Sequence, residues 1–197
     1  MSIKLKIARA QLGTALNLFL RDQDAISVHA LACGGSEVIE GLADYNDIPT
    51  LTSHILQTQP GINIAEINRL RNKYWNAIKH FYSRDHKTAR DDEELMAGFS
   101  DEKNDAVLFM GWLDYQLLTK QLPIEVQVFQ VWWYATHEQS LTPGTDPMPF
   151  RTVFPDIMRF ERAEQKRRLK RVTEKYRGNK EILADSRTEP GWLVIHN

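Results

Sequence analysis

Residues 5–42 read LKIARAQLGTALNLFLRDQDAISVHALACGGSEVIEGL, and this stretch decides the fold class. Apolar residues recur at steps of three and four on both sides of the polar break Arg21-Asp-Gln-Asp24, which is the period of an amphipathic helix. Gly34 and Gly35 lie in the middle of the second helical pattern, where each glycine costs about 1 kcal/mol relative to alanine. We therefore expect two antiparallel helices, with a neighbouring helix passing close to the two glycines.

The same period predicts four more helices in the following hundred residues. They begin near Leu51, Asn63, Ser100 and Pro123. The fourth helix of the chain has the clearest start, because Asn63 with Glu66 three residues later resembles a capping box. We place Phe81 on the apolar face of this fourth helix. The polar, acidic residues 83–100 read as a long loop.

The C-terminal part of the chain has a different composition. Residues 141–155 form a proline-rich linker for which we expect no helix, and residues 156–197 comprise a basic helix and an apolar tail. The tail, Trp192–Ile195, is expected to dock as a strand or to pack against a second subunit. The sequence thus predicts an all-α protein, with an antiparallel helical bundle over residues 1–140 and a basic C-terminal helical arm.

Composition excludes several classes of protein. The chain has 197 residues, 42% hydrophobic and 26% charged, with a formal net charge of -1, which suits one globular domain. The single cysteine, Cys33, excludes an internal disulfide and a multi-cysteine zinc site. A membrane-spanning run and a signal peptide are missing, so we expect a cytoplasmic protein without membrane contact. A glycine-rich phosphate loop, a serine-hydrolase elbow and a zinc-protease motif are missing as well.

The near-zero net charge conceals an asymmetry. Residues 156–180 hold ten basic and four acidic residues, whereas residues 85–105 hold three basic and eight acidic ones. Such a split is compatible with a basic arm for nucleic acid. It is equally compatible with a solvated helix, or with one that docks on its own acidic surface or on a partner's. The bases proposed for nucleic acid on this arm are Arg167, Arg168, Lys170 and Arg171.

The main candidate site lies on the fourth helix. Arg69, Lys73, Asn76 and His80 follow one another at steps of four, three and four, so they share one stripe, and Lys79 lies beside it. This face offers an amide, an imidazole and several cations. The combination suits binding of a phosphodiester, with His80 available for proton transfer. The competing interpretation is a hydrogen-bonded structural histidine among solvated cations.

A second polar stripe occupies the second helix. His29, Cys33 and Glu37 repeat at four-residue spacing. We interpret the histidine and the glutamate as structural hydrogen-bonding groups and Cys33 as a small core residue. A metal site built from His29, Glu37 and His80 is a weaker option, because it needs three or four converging ligands. We expect neither a cofactor nor a metal.

The chain resembles the HEPN domains, helical bundles of prokaryotic toxins, antiphage systems and nucleotidyltransferase partners. The likeness covers roughly residues 1–140 and lies in the opening helical hairpin and in Asn76-Ala-Ile-Lys-His80, which is similar to the end of the HEPN signature. Members of that family unite an arginine and a histidine across a dimer to cleave RNA without metal. Trp75 stands where the signature arginine belongs, and Arg71 lies one turn earlier. A group of bacterial proteins carries a similar Asn-x-x-Lys-His run.

Two functions follow as competing hypotheses. The resemblance implies a dimeric protein that binds or cleaves RNA, in a toxin–antitoxin or defence setting, with His80, Asn76 and Arg71 as catalytic residues. Lys73 and Lys79 would then contact phosphates together with the basic arm. The alternative is a non-catalytic interaction module that pairs with another helical protein through the arm and the tail. Loss of RNA binding in high salt would favour the first hypothesis.

Overall fold

The computed structural model describes residues 2–58, 61 and 63–194. These residues form the following α-helices: α1 Ile3–Leu20, α2 Ala25–Tyr45, α3 Leu51–Thr58, α4 Ile64–Arg71, α5 Lys73–Lys79, α6 Glu93–Ala97, α7 Lys103–Thr119, α8 Ile124–Thr136, α9 Met148–Val153, α10 Arg162–Tyr176 and α11 Lys180–Ala184. Within the described ranges the only β pairing consists of isolated bridges, Tyr82 with Ala89 and Leu122 with Thr188. The predicted all-α bundle is confirmed. None of the described helices has the length and apolar character needed to cross a membrane.

The core lies between helices α1, α2, α7 and α8. Their apolar faces supply the largest fully buried side chains, among them Phe19, Trp112, Phe129 and Trp132. Glycines allow the helices to approach. A Cβ atom on Gly35 would lie 2.8 Å from Leu12 of α1, which confirms the close approach predicted there. A Cβ atom on Gly111 would lie 2.3 Å from the hydroxyl oxygen of Ser36, so α2 and α7 also require a glycine where they meet.

Three predicted boundaries are wrong. The fourth predicted helix is divided into α4 and α5 at Asn72, a poor helix former whose φ and ψ of -92° and 5° leave the helical range. The predicted loop 83–100 contains α6, and the predicted linker contains α9. Helix α9 is possible because its proline lies at the helix start, where a backbone N–H has no partner to lose.

The basic helix α10 packs on the bundle through one buried and one half-buried cation. Lys166 is only 2% exposed, and its Nζ donates to Asp22 at 2.7 Å and to Asp101 at 3.0 Å. Arg162 donates to the carboxylates of Asp101 and Asp105 at 2.8 and 2.9 Å. Leu169 is completely buried in the same contact. Arg162 and Lys166 of α10 are therefore attached to acidic residues of the bundle.

The apolar tail returns to the first helix. Arg9 of α1 is 2% exposed and donates to Glu189 at 2.8 Å and to the backbone carbonyl of Leu193 at 2.7 Å. The hydroxyl of Tyr115 also donates to Glu189, at 2.8 Å. A parallel bridge between Leu122 and Thr188 precedes this contact, but Trp192, Leu193 and Val194 themselves form no strand. Ile195, the last residue of the predicted tail motif, lies outside the described residues.

Candidate functional site

The polar surface between α2 and α5 brings two of the predicted site residues together. Glu37 accepts two hydrogen bonds on the same oxygen atom, one from Trp75 Nε1 at 2.7 Å and one from Lys79 Nζ at 2.8 Å. The ammonium group of Lys79 also lies 4.8 Å from the centroid of the Trp75 ring. Partial burial acts to raise the pKa of Glu37, but the bonds from Lys79 and Trp75 outweigh it and hold the pKa below the usual value. Glu37 therefore stays ionised and partly neutralises Lys79.

Arg71 is held by the other glutamate of α2. Its guanidinium makes a two-pronged ion pair with Glu40, with Nη2 and Oε2 separated by 2.7 Å. The bond to Glu40 raises the pKa of Arg71. The side chain is mostly buried in this position. Arg71 is consequently directed at α2, and it reaches a phosphate only by giving up a bidentate carboxylate partner.

His80 lies at the opposite end of the candidate site, where α5 stops. Its backbone N–H donates to the carbonyl of Asn76 at 3.2 Å, and the residue is exposed. Within the described part of the chain, the side chains of His80 and Asn76 form no hydrogen bond with another residue. Of the three predicted catalytic residues, Arg71 is thus directed into an ion pair while Asn76 and His80 close the last turn of α5.

The histidine of the second polar stripe is a buried structural group. Asn104 donates its amide to the carbonyl of Ala25 at 3.0 Å, so its oxygen accepts from His29 Nδ1, also at 3.0 Å. Burial lowers the pKa of His29, although the bond to Asn104 acts in the other direction. Tyr74 and Phe99 pack edge-on against its ring. His29 is therefore a neutral group of the core.

Cys33 and the weaker metal option belong to the same region. Burial and the charge of Glu37 raise the pKa of the Cys33 thiol to about 12, so the sulfur remains protonated and is a poor nucleophile. Burial of Cys33 was predicted. Across the described residues, no three histidine, cysteine or acidic side chains converge as a metal site would require. The combination of His29, Glu37 and His80 is not assembled.

A basic segment that the sequence reading missed runs through α4, α5 and the turn that follows. Residues 69–90 contain seven basic residues and one acid, Asp85. Three of these bases, Arg71, Lys79 and Arg90, form ion pairs with acidic residues. For the other four bases no ion pair exists with any described residue, and all four are exposed: Arg69, Lys73, Arg84 and Lys87. A charge count over a sliding window would have found this segment.

Helix α10 shows the opposite distribution of charge. Of the eight bases in residues 162–177, all except Lys175 take part in an ion pair. Three bases predicted to bind nucleic acid, Arg167, Arg168 and Arg171, contact the single carboxylate of Glu164 at 2.9 to 3.1 Å. Lys170 lies 4.0 Å from Glu174. Helix α10 therefore offers fewer cations without an ion pair to a described residue than residues 69–90 do.

Phe81 does not occupy the position predicted for it. Helix α5 ends at Lys79, so Phe81 lies beyond the helix and is exposed instead of joining an apolar face. Tyr82 beside it pairs with Ala89 in an antiparallel bridge. The bases Arg84 and Lys87 lie within the turn that this bridge closes. Aromatic and basic side chains are thus combined at the end of α5, next to His80.

Comparison with known proteins gives no relative. No family model, no curated protein and no solved structure matches the chain. The class of protein is accordingly defined by the fold alone, as an all-α helical bundle whose basic C-terminal helix is docked on the bundle.

Proposed function

We propose that this protein binds RNA through the basic surface formed by the end of α4, by α5 and by the turn after it. This surface, called here the α5 surface, comprises Arg69, Lys73, Lys79, His80, Arg84 and Lys87. The observation that carries the proposal is the excess of seven bases over one acid in residues 69–90 of a chain with a net charge of -1. Four of those bases have no carboxylate partner among the described residues.

Unpaired surface cations suit the phosphate backbone. Each phosphate that a lysine or arginine neutralises releases a condensed counterion, and this release supplies most of the sequence-independent affinity. A base that already pairs with a carboxylate contributes less, because the internal pair must be exchanged for the new one. The paired bases of α10 are therefore secondary to the α5 surface. The HEPN resemblance, carried by Asn76 and His80, supports RNA as the nucleic acid.

We infer binding without cleavage. Metal-independent cleavage of RNA needs a proton-transfer group and a cation that stabilises the charge developing on the phosphate. His80 is exposed and fits the first role. The cation predicted for the second role, Arg71, is engaged with Glu40, and Trp75 at the signature position offers no charge. The geometry supports a protein that holds a phosphodiester without completing its hydrolysis.

The test compares two variants of equal charge change. Binding of a fluorescently labelled single-stranded RNA is measured by anisotropy at several salt concentrations from about 50 to 300 mM. Arg84→Gln with Lys87→Gln removes two bases of the α5 surface, and Lys170→Gln with Arg171→Gln removes two bases of α10. For the first variant we expect a salt slope smaller by about 1.4, since each contacted phosphate of a single strand contributes about 0.7. For the second we expect a change of less than half that size.

Three results would overturn the proposal. Absence of RNA binding at the lowest salt concentration would reject the function, and a larger effect of the α10 variant would reject the assigned surface. Release of RNA fragments that depends on His80 would reject binding without cleavage. His80→Ala and the parent protein are therefore incubated with the same RNA, and both should leave it intact.

A further inference from the structure

The two residues that follow His80 have aromatic side chains that are exposed to solvent. Phe81 exposes 71% of its surface and Tyr82 exposes 52%. Their ring centroids are 4.9 Å apart and the ring planes meet at 84°. Burial of aromatic rings is a major source of stability in folded proteins, and this pair is left out of the core. The exposed rings are thus available to a ligand.

The backbone that carries the rings is ordered by its own hydrogen bonds. Residues 81–90, called here the 81–90 turn, are closed by the Tyr82–Ala89 bridge and by a 2.8 Å bond from the Ser83 N–H to the carbonyl of Thr88. Inside the turn, the carboxylate of Asp85 accepts from the backbone N–H of Thr88 at 3.0 Å and from its hydroxyl at 2.6 Å. A preorganised turn loses little conformational entropy when a ligand binds.

The charges around the rings favour an anion. Arg84 and Lys87 belong to the turn and are exposed, as is His80 before it, while the side chain of Lys79 is half-buried. The acid inside the turn, Asp85, is used for the hydrogen bonds that hold the turn together. Aromatic rings interleaved with cations are the two elements with which proteins bind unpaired nucleic-acid strands, since bases stack on the rings and phosphates pair with the cations.

We propose that the 81–90 turn stacks two unpaired bases of single-stranded RNA on Phe81 and Tyr82, with neighbouring phosphates on Arg84 and Lys87. This inference rests on the RNA binding proposed above and deepens it. The angle between the two rings should make the turn prefer single-stranded RNA to duplex RNA. Two perpendicular rings cannot both stack on neighbouring bases that are parallel, as the bases of a duplex are. The bases of a flexible single strand turn independently and fit both rings.

The experiment measures binding of a labelled oligoadenylate RNA of about 12 nucleotides and of a labelled RNA duplex of the same length. We expect the parent protein to bind the single strand more tightly. Phe81→Ala and Tyr82→Ala should each weaken single-strand binding roughly five- to fiftyfold and leave duplex binding within about twofold. Phe81→Trp keeps a stacking surface and should retain the affinity. Since both side chains are exposed, these variants should unfold at the same temperature as the parent.

The matched control is Tyr45→Ala. Tyr45 is 86% exposed at the end of α2, outside the α5 surface, so its removal should change neither affinity. Equal weakening of single strand and duplex by Phe81→Ala, or no weakening, would overturn the stacking inference while the proposed RNA binding stands. If the parent protein binds neither the single strand nor the duplex, the proposed RNA binding itself is rejected, and the stacking inference is rejected with it. Loss of self-association in Phe81→Ala with unchanged RNA binding would identify the rings as a protein interface and reject the inference.

Discussion

Trp75 donates its indole hydrogen to the same oxygen atom of Glu37 that accepts the ammonium group of Lys79. The indole thus joins α5 to a carboxylate of α2 without bringing a positive charge. The charge at this contact comes from Lys79, one turn later on the same helix.

Replacement of Trp75 by phenylalanine tests the indole bond. Trp75→Phe keeps a ring for Lys79 and removes the donor, so the free energy of unfolding should fall by about 1 kcal/mol at neutral pH. The pKa of Glu37 should rise towards its ordinary value. Because a lowered native pKa stabilises the fold only above the ordinary pKa, the loss should shrink as the pH falls below about 4. Urea unfolding measures the change in the free energy of unfolding. Trp192→Phe is the control, and it should leave that free energy unchanged.

Replacement of Glu37 tests the neutralisation of Lys79. Glu37→Gln keeps an acceptor for Trp75 and removes the carboxylate, so Lys79 gains effective charge. RNA affinity should rise about threefold at low salt, and the gain should disappear at high salt. Glu181→Gln on α11 changes the net charge equally and should have a smaller effect. A decrease in affinity for Glu37→Gln would contradict this account of the α5 surface.

Asp114 gives the stability a specific pH dependence. Burial raises its pKa from 3.8 to about 6, with Glu40 acting in the same direction and the N–H of Leu51 and Arg71 against it. The native carboxyl binds its proton more tightly than the unfolded one. Stability from this group is therefore present below about pH 4 and is lost as the pH rises to about 6. A shift of about two units corresponds to about 3 kcal/mol.

The variant Asp114→Asn isolates the contribution of the Asp114 carboxylate to the free energy of unfolding. The amide oxygen still accepts from Leu51, but it carries no charge. We expect the variant to be more stable than the parent by roughly 2 to 3 kcal/mol at about pH 7.5 and equal to it at about pH 4. Urea unfolding at both pH values measures the difference. Parallel pH profiles of the two proteins would show that Asp114 is not the group responsible.

Arg162 is expected to be the most sensitive residue of α10. Burial raises the pKa of Asp105, and the ion pair with Arg162 acts against that rise. Arg162→Met leaves a buried carboxylate unpaired and should cost about 3 to 5 kcal/mol. Arg167→Met is the matched control at an exposed position of the same helix and should stay within about 0.5 kcal/mol. Addition of Asp105→Asn to Arg162→Met should restore part of the loss.

Arg9 holds the tail, and its loss should release it. Arg9→Met removes the donor to Glu189 and to the carbonyl of Leu193, which should destabilise the protein by about 3 kcal/mol. Trypsin should then cut faster after Arg187, whose carbonyl accepts a hydrogen bond from Leu122 while the segment is docked. Lys6→Met on the exposed face of α1 is the control. An unchanged rate of cleavage would mean that the remaining contacts, among them the bond from Tyr115 to Glu189, hold the tail without Arg9.

Local patterns in the sequence were sufficient to predict where helices form, but not to predict the residues at which the helices end. The hairpin of α1 and α2 follows from apolar periodicity, and the cap at Asn63 is confirmed by its 3.0 Å bond from the Glu66 N–H. The end of α5 could not be predicted, because neither glycine nor proline marks it. Phe81, three residues after Ile78, fits the helical spacing equally well, so spacing alone placed an exposed ring in the core.

The ion-pair partners of the charged residues could not be predicted from the sequence. The count of bases in α10 is correct, but Lys166 finds Asp22 at a separation of 144 positions and Asp101 at 65 positions. Only the tertiary fold determines which cations meet a carboxylate. The same limit explains why His29 could be recognised as a hydrogen-bonding group while its partner, Asn104, could not be named.

The contact between Arg9 and the tail also sets an order of events during synthesis. The acceptors of Arg9 are made about 180 residues after Arg9 itself. Until then, α1 holds an arginine whose native environment excludes water but whose partners do not yet exist. Helices α1 and α2 can therefore pair on the ribosome, but the native packing around Arg9 must wait until residues 189–193 have emerged. Packing of the first helix is thereby coupled to the synthesis of a segment far along the chain.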